Sequence, residues 1–276
     1  MALKNELPTV LPFYKNLKNQ IRWRENNTNL ESFKNYTMQN KIIPFCLQLP
    51  KDSNPPIKWE LRGLDGNNID LMNNINKLNA QNFDDFCYVF YNGEILNFDR
   101  GGVLEELNIY GFYYVYFLID EIEYFSEIVF FCNKKNLLQI DFSNDGDIEP
   151  IRYRNNWKQT IYLDTFLHTS EPEIEEEGER DGENNLIPTF VKMTIKQKAE
   201  VIVPDYIKTA LASLQMHDKI WIENGDNGSG NIDRVNVQAQ TDETGAYSSV
   251  IIDFQTDVMS KRNCDNNKTA LNSDYW

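Results

Sequence analysis

The stretch that decides the fold is residues 157–222, which contains TIYLDTFLHT at 160–169, EPEIEEEGERDGE at 171–183, IPTFVKMTIKQKAEVIV at 187–203 and DYIKTALASLQMH at 205–217. The first and third segments are rich in β-branched and aromatic residues, which favour strands. The fourth has apolar residues at i, i+3, i+4 and i+7, namely Ile207, Ala210, Leu211 and Leu214. This spacing predicts an amphipathic helix over 205–217 that packs on a sheet.

The segment between the two strands is strongly acidic. Residues 171–183 hold eight acids and the single base Arg180, almost half of the formal net charge of −15. Like charges in a block repel one another and keep a chain extended, so we expect an acidic loop that projects from the fold. A loop that contacts a basic patch on a neighbouring subunit and a loop that is simply solvated are both compatible with this composition.

The whole composition limits the partners and the compartment. The chain has 276 residues, 13% of them aromatic, and a sequence pI of about 4.6. Phosphate binding needs clustered Lys and Arg, so free nucleic acid is a poor partner for the surface as a whole. The four cysteines are scattered without a CxxC pair, which favours a reduced compartment. No apolar run suits a signal peptide or a membrane span, so we expect a soluble protein that is made in the cytoplasm and has no membrane partner.

Turn signals and short apolar runs divide the chain into five parts. We predict a mostly β fold with two domains, together with an arm, a linker and a tail. The predicted parts are an N-terminal arm at 1–40, an immunoglobulin- or fibronectin-like β-sandwich at 41–135, a linker at 136–150, a β-sandwich or barrel with one flanking helix at 151–258 and a C-terminal tail at 259–276.

Catalytic and metal-binding patterns are weak. His168 and His217 are the two histidines, neither lies in a nucleophile motif, and neither has a cysteine nearby for zinc. Asp145 and Asp147 flank Gly146, but the further ligands of a calcium loop are missing and a plain turn is favoured. We therefore expect a protein that is not an enzyme and has no cofactor.

One alternative function is a binding module. Aromatic residues on the strands of the first predicted domain, if exposed, would form a platform for a carbohydrate or a protein partner. The residues in question are Trp59, Tyr91 and Tyr113. Their spacing also suits a buried core.

A third class of function follows from a resemblance. Several motifs resemble virion proteins of tailed bacteriophages of the kind found in crAss-like phages and related prophages, over roughly residues 40–255. The motifs are Ile43-Pro44-Phe45-Cys46-Leu47-Gln48, Trp59-Glu60-Leu61 before Leu64-Asp65-Gly66, Tyr91-Asn92-Gly93-Glu94-Ile95-Leu96, Tyr113-Tyr114, Tyr124-Phe125-Ser126-Glu127, Ile161-Tyr162-Leu163-Asp164, Asn185-Leu186-Ile187-Pro188-Thr189-Phe190 and Val203-Pro204-Asp205-Tyr206. The N-terminal arm and the C-terminal tail depart from the resemblance.

The resemblance implies a structural subunit of a phage neck, tail or baseplate, with a tail-tube-like second domain. Such a subunit would form a sixfold or twelvefold ring, contact other neck, tail or baseplate proteins and meet genomic DNA only transiently in the lumen. Opposite charges would then give the interface its register. The candidate contact residues are Glu171, Glu173, Glu175, Glu176, Glu177 and Glu179 on one side and Arg22, Arg24, Arg152 and Arg154 on the other.

Overall fold

A computed structural model describes residues 9–20, 33–83, 85–134, 136–146, 153, 157–169, 173–180, 183–184, 186–224, 229–232, 234–241 and 247–262. This part of the chain is mostly β, as the sequence predicts. Its strands, in chain order, are β1 Phe13–Tyr14, β2 Tyr36–Met38, β3 Phe45–Pro50, β4 Lys58–Gly63, β5 Asn68–Asp70, β6 Leu78–Phe83, β7 Phe86–Tyr91, β8 Asn97–Arg100, β9 Val103–Glu106, β10 Gly111–Ile119, β11 Ile122–Cys132, β12 Leu138–Ser143, β13 Gln159–Leu163, β14 His168–Thr169, β15 Glu173–Arg180, β16 Leu186–Pro204, β17 Lys219–Asn224, β18 Ser229–Asn231, β19 Arg234–Thr241 and β20 Tyr247–Arg262.

The strands pair into four sheets and one separate hairpin, β8–β9. Sheet I has the order β1-β11-β10-β4-β5, and β2 also pairs with β11 in parallel. Sheet II is β3-β7-β6, sheet III is β13-β12-β17-β18, and sheet IV is β14-β16-β20-β19 with β15 also paired to β16. Sheet III therefore joins strands from the middle of the chain to strands that follow the helix.

The helix forms where the apolar stripe predicts it. Helix α1 spans Asp205–Ala212 and continues as a 3₁₀ turn over Ser213–Met216, so the predicted range of 205–217 is confirmed to within one residue. The four residues of the stripe are all buried, as predicted. They belong to the same apolar cluster as residues of β16, β19 and β20, which the helix contacts.

The predicted linker contains a strand. Residues 136–150 were expected to connect two domains, but β12 occupies the middle of sheet III, between β13 and β17. Its apolar residues Leu138, Ile140 and Phe142 alternate with polar ones and are almost fully buried. The linker prediction is wrong for these residues because alternation of period two marks a strand with one buried face.

One apolar cluster extends across both predicted domains. It includes Val10 and Leu11 near the start of the described chain, Trp59 and Phe117 from sheet I, and Phe254 near the end of the core part of β20. The described residues of the predicted N-terminal arm thus pack into the core through β1 and β2. The division into an immunoglobulin-like and a tube-like domain stays a prediction.

Candidate functional site

The acidic segment predicted as a loop forms a strand. β15 pairs antiparallel with β16 from Glu173 opposite Thr194 to Arg180 opposite Leu186. β16 in turn pairs with the end of β20, from Ile195 opposite Asp257 to Phe190 opposite Arg262. Because β16 supplies β15 with a regular backbone partner and is itself paired with β20, the repulsion among the glutamates does not prevent a sheet. We call this three-stranded extension (173–180, 186–195 and 257–262) the acidic arm.

The arm begins where the core ends. Strand β16 has 19 residues and β20 has 16, several times the usual strand length of about 5–6. The register between them shifts between Ile195 and Lys196, and β20 residues on the near side of this irregularity, such as Ile252 and Phe254, are fully buried. At about 3.3 Å per residue, the arm extends roughly 30 Å past the irregularity. Strand β20 also continues into the predicted C-terminal tail, which therefore does not begin at residue 259.

One face of the arm is neutralised by lysines of the same chain. The Nζ atom of Lys192 lies 3.1 Å from Oε2 of Glu175, and that of Lys196 lies 2.6 Å from Oε1 of Glu173. Glu175 and Lys192 are direct cross-strand partners, a placement that stabilises antiparallel strands. These pairs are exposed, so each contributes no more than about 1 kcal/mol. The two glutamates thus already have cationic partners within the subunit.

The other face of β15 has a different character. Ile174 and Glu176 point to the same side because side chains alternate along a strand. The Ile174 side chain is 60% exposed. Within the described part of the chain, Glu176 makes no hydrogen bond or ion pair, although it is exposed beside the half-buried Val191 and Met193. This face combines an accessible apolar side chain with an uncompensated carboxylate.

Only some of the remaining predicted contact residues lie in the described part of the chain. Glu177 is exposed on β15, and Glu179 lies on β15 in the backbone register opposite Ile187. Glu171 and the predicted basic patch of Arg22, Arg24, Arg152 and Arg154 lie outside the described residues. The predicted contact between the acids and this patch stays a prediction.

A second polar surface lies on the outer face of sheet III, and no local pattern in the sequence indicates it. Asp141 is buried and accepts hydrogen bonds from Thr160 Oγ1 at 2.6 Å and from Gln139 Nε2 at 3.1 Å, and it forms an ion pair with Lys158. The neighbouring strand β17 places Trp221 directly opposite Asp141.

Lys219 lies one step further along the same face, opposite Ser143. Its ammonium group pairs with Asp145, which therefore has a lysine partner rather than a role in a calcium site, and Asp147 lies outside the described residues. Together these side chains line a shallow cleft of about 300 Å³ in which Trp221 is 38% exposed. We call Lys158, Lys219 and Trp221 the lysine–tryptophan surface.

A larger cleft of about 590 Å³ lies beside strand β2. Its walls include Phe33, Lys34, Tyr36, Asp164 and Glu200. The Tyr36 hydroxyl donates to Oδ2 of Asp164 at 3.1 Å, and burial together with this carboxylate raises the pKa of Tyr36 to about 12. The ion pair with Lys134 lowers the pKa of Asp164, so the phenol stays protonated and the carboxylate stays charged at neutral pH.

The predicted aromatic platform is not a surface. Trp59 and Tyr91 are fully buried and Tyr113 is nearly so. Trp59 packs against the ring of Phe117 at a centroid distance of 5.7 Å, inside the common core. The prediction of a platform from these three residues is wrong because the apolar faces of sheets I and II pack onto each other there.

His217 lies in a partly buried hydrogen-bonded chain. Its Nδ1 donates to the carbonyl oxygen of Ser213 at 2.6 Å, since a carbonyl can only accept, and Nε2 therefore accepts from the Tyr153 hydroxyl. Tyr153 in turn accepts from Gln159 Nε2 at 3.1 Å. Burial lowers the pKa of His217, so the imidazole is neutral at neutral pH. It therefore has no charge to interact with the helix dipole.

The other titratable groups that the structure describes give no further cluster. His168 lies on β14 opposite Lys198. Cys46, Cys87 and Cys132 are free and buried, as their apolar surroundings predict, and burial raises the pKa of each thiol. Among the described residues, no three His, Cys, Asp or Glu side chains are placed to hold a metal ion. The same part of the chain holds no helix long and apolar enough to cross a membrane.

No family model matches the chain, and no curated protein matches it significantly. The candidate site is therefore identified on geometry alone. The acidic arm is the feature that the rest of the fold explains least, because none of its described side chains belongs to the apolar core cluster.

Proposed function

We propose that this protein is a non-enzymatic structural subunit of a tailed-phage virion, assembled through its acidic arm into a ring of the neck, tail or baseplate. The observation that carries the proposal is the arm itself, two strands of 19 and 16 residues that leave the core to hold an exposed acidic strand. The resemblance of residues 40–255 to phage virion proteins supplies the setting.

The charge of the arm favours a specific partner over uncontrolled aggregation. β15 is a free edge among the described strands, and an exposed edge offers unpaired backbone groups to any other strand. Two copies of β15 would place like charges opposite each other, which is destabilising. The arm therefore suits a different, cationic surface on its neighbour. Such a head-to-tail contact closes into a ring when its rotation allows.

The expected contacts follow from this arrangement. Other neck, tail or baseplate proteins would flank the ring, and genomic DNA would pass through a lumen that repels it, since a negative wall offers no phosphate-binding sites. The protein would act in the virion after synthesis in the host bacterial cytoplasm. It needs no cofactor for this role.

The test is neutralisation of the arm. Glu173, Glu175, Glu176 and Glu177 are changed to Gln together, which keeps the size of each side chain and removes four charges. We expect the variant to lose higher-order assembly and to lose the dependence of assembly on salt, with the circular dichroism of the fold unchanged. A matched control changes four exposed acids away from the arm, Asp52, Glu94, Asp99 and Glu106, to the corresponding amides. Assembly that responds equally to both sets would contradict the proposal.

A second candidate function rests on the cleft beside β2. A carbohydrate-binding module needs an accessible aromatic ring with fixed polar groups around it. Tyr36, held by Asp164 and covered by the ammonium group of Lys134 at 5.9 Å from its ring centroid, offers such an arrangement. Titration of a glycan panel by nuclear magnetic resonance would detect binding, and Tyr36→Ala would abolish it. Binding that survives this variant would place the ligand elsewhere.

A further inference from the structure

We infer that the acidic arm of one copy binds the lysine–tryptophan surface of a second copy, with Ile174 on Trp221 and Glu176 paired to Lys219. This inference rests on the proposed function, because it assumes that the chain assembles with itself. It identifies a partner surface with two lysines among the described residues, whereas the predicted arginine patch lies outside them.

The first argument is the pairing of unsatisfied groups. Among the acids of β15, Glu173 and Glu175 have lysine partners in their own chain, whereas Glu176 makes no polar contact in the part that the structure describes. Beside it, Ile174 is 60% exposed. On the other surface, Trp221 is 38% exposed on the outer side of a sheet. Contact between the two would remove both apolar side chains from water and give Glu176 a cationic partner.

The second argument is the spacing. Ile174 and Glu176 are two residues apart on one face of β15, and Trp221 and Lys219 are two residues apart on one face of β17. Both pairs are therefore separated by about 6.7 Å along their strands. The two strands can lie face to face and aligned in two directions. One direction places the isoleucine on the tryptophan and the carboxylate on the ammonium group. The opposite direction would place Ile174 on the lysine and is disfavoured.

The third argument is the availability of Lys219. Its present partner, Asp145, has a side chain that is 72% exposed, and an exposed ion pair is weak enough to exchange for another carboxylate. Lys158 differs, because its partner Asp141 is buried and is also fixed by Thr160 and Gln139. Lys158 therefore stays with Asp141 at the edge of the contact. Lys219 makes the new pair.

The test is a charge exchange. Glu176→Lys and Lys219→Glu are made singly and together, and the self-association constant is measured by sedimentation at low and moderate salt. We expect each single variant to weaken association about tenfold or more, because it places like charges together across the contact. The double variant restores association to within about threefold of the native chain. Glu94→Lys and Lys51→Glu, both at exposed positions outside the two surfaces, serve as charge-matched controls and leave association unchanged.

A second measurement does not depend on energetics. A copy with Ile174→Cys is mixed with a differently tagged copy with Trp221→Cys. Under mild oxidation, a disulfide between the two introduced cysteines is detected as a product that carries both tags. We expect the cross-link in the mixture and not when either variant is mixed with the native chain.

The outcomes separate the two proposals. A native chain that stays monomeric under all conditions overturns both the ring assembly and this contact. A chain that associates but ignores the charge exchange and forms no cross-link overturns the contact alone.

Discussion

The hydroxyl group of Tyr153 fixes the end of the helix to the rest of the fold, and its removal gives a sharp prediction. Tyr153 is 5% exposed, donates to His217 Nε2 and accepts from Gln159 Nε2. Tyr153→Phe keeps the ring packed against Trp157 at 5.3 Å and deletes only the oxygen. The variant thus isolates the contribution of the hydroxyl from that of apolar packing.

The magnitude follows from the two hydrogen bonds. Each contributes about 0.5–1 kcal/mol net, and a partly buried Nε2 left without its donor adds about 1–2 kcal/mol, which gives about 2–4 kcal/mol in total. Against a usual domain stability of about 5–15 kcal/mol this is a large loss. For a chain of this length, it corresponds to a fall in Tm of about 4–8 °C.

Urea unfolding followed by circular dichroism measures the loss directly. Tyr110→Phe is the control, because Tyr110 is 69% exposed and its hydroxyl is in water, so the free energy of unfolding should change by less than about 0.5 kcal/mol. If Tyr153→Phe costs no more than the control, the hydrogen-bonded chain through His217 does not stabilise the fold.

Three further predictions follow from the same structure. Burial lowers the pKa of His217 below its ordinary value of 6.5, so the unfolded state takes up the proton at a higher pH than the folded state. The free energy of unfolding should therefore fall as the pH drops below 6.5. His217→Asn should make this fall smaller, as measured by melting curves at different pH values. Trp59→Ala should cost about 3–5 kcal/mol in urea unfolding, because the indole is fully buried, whereas Trp221→Ala should cost less than about 1 kcal/mol. Cys46 should react with a thiol reagent only after denaturation, since burial keeps it protonated and shielded, and rapid labelling of the native chain at Cys46 would contradict its position in the core.

The elements that depend on local pattern were predictable from the sequence. The apolar stripe of Ile207, Ala210, Leu211 and Leu214 identified α1, and all four residues are buried. The information lies within about ten residues of the element.

The strand formed by the acidic segment was not predictable from the segment alone. Its charge density predicts an extended loop when only the segment is considered. The lysines that offset two of its glutamates, Lys192 and Lys196, lie 17 and 23 residues away in the sequence. Their pairing with Glu175 and Glu173 depends on the register of β15 on β16, which the turn between the strands determines.

The lysine–tryptophan surface could not be predicted at all. Trp221 and Asp141 are 80 positions apart and become neighbours only because β17 pairs with β12. The strand β12 itself was predictable, since its apolar residues alternate, but the polar turn that follows it favoured the interpretation as a linker. Strand order within a sheet, which decides both surfaces, leaves no local pattern in a single sequence.

The proposed self-assembly depends on charged contacts between copies of the chain, and light scattering of the purified native chain tests it. The molar mass is measured at low and moderate salt, and negative-stain images are taken of the same samples. We expect a closed ring whose mass is a whole multiple of 32.4 kDa and which loosens as the salt concentration rises. A mass of one chain at every salt concentration, with no rings in the images, would contradict it.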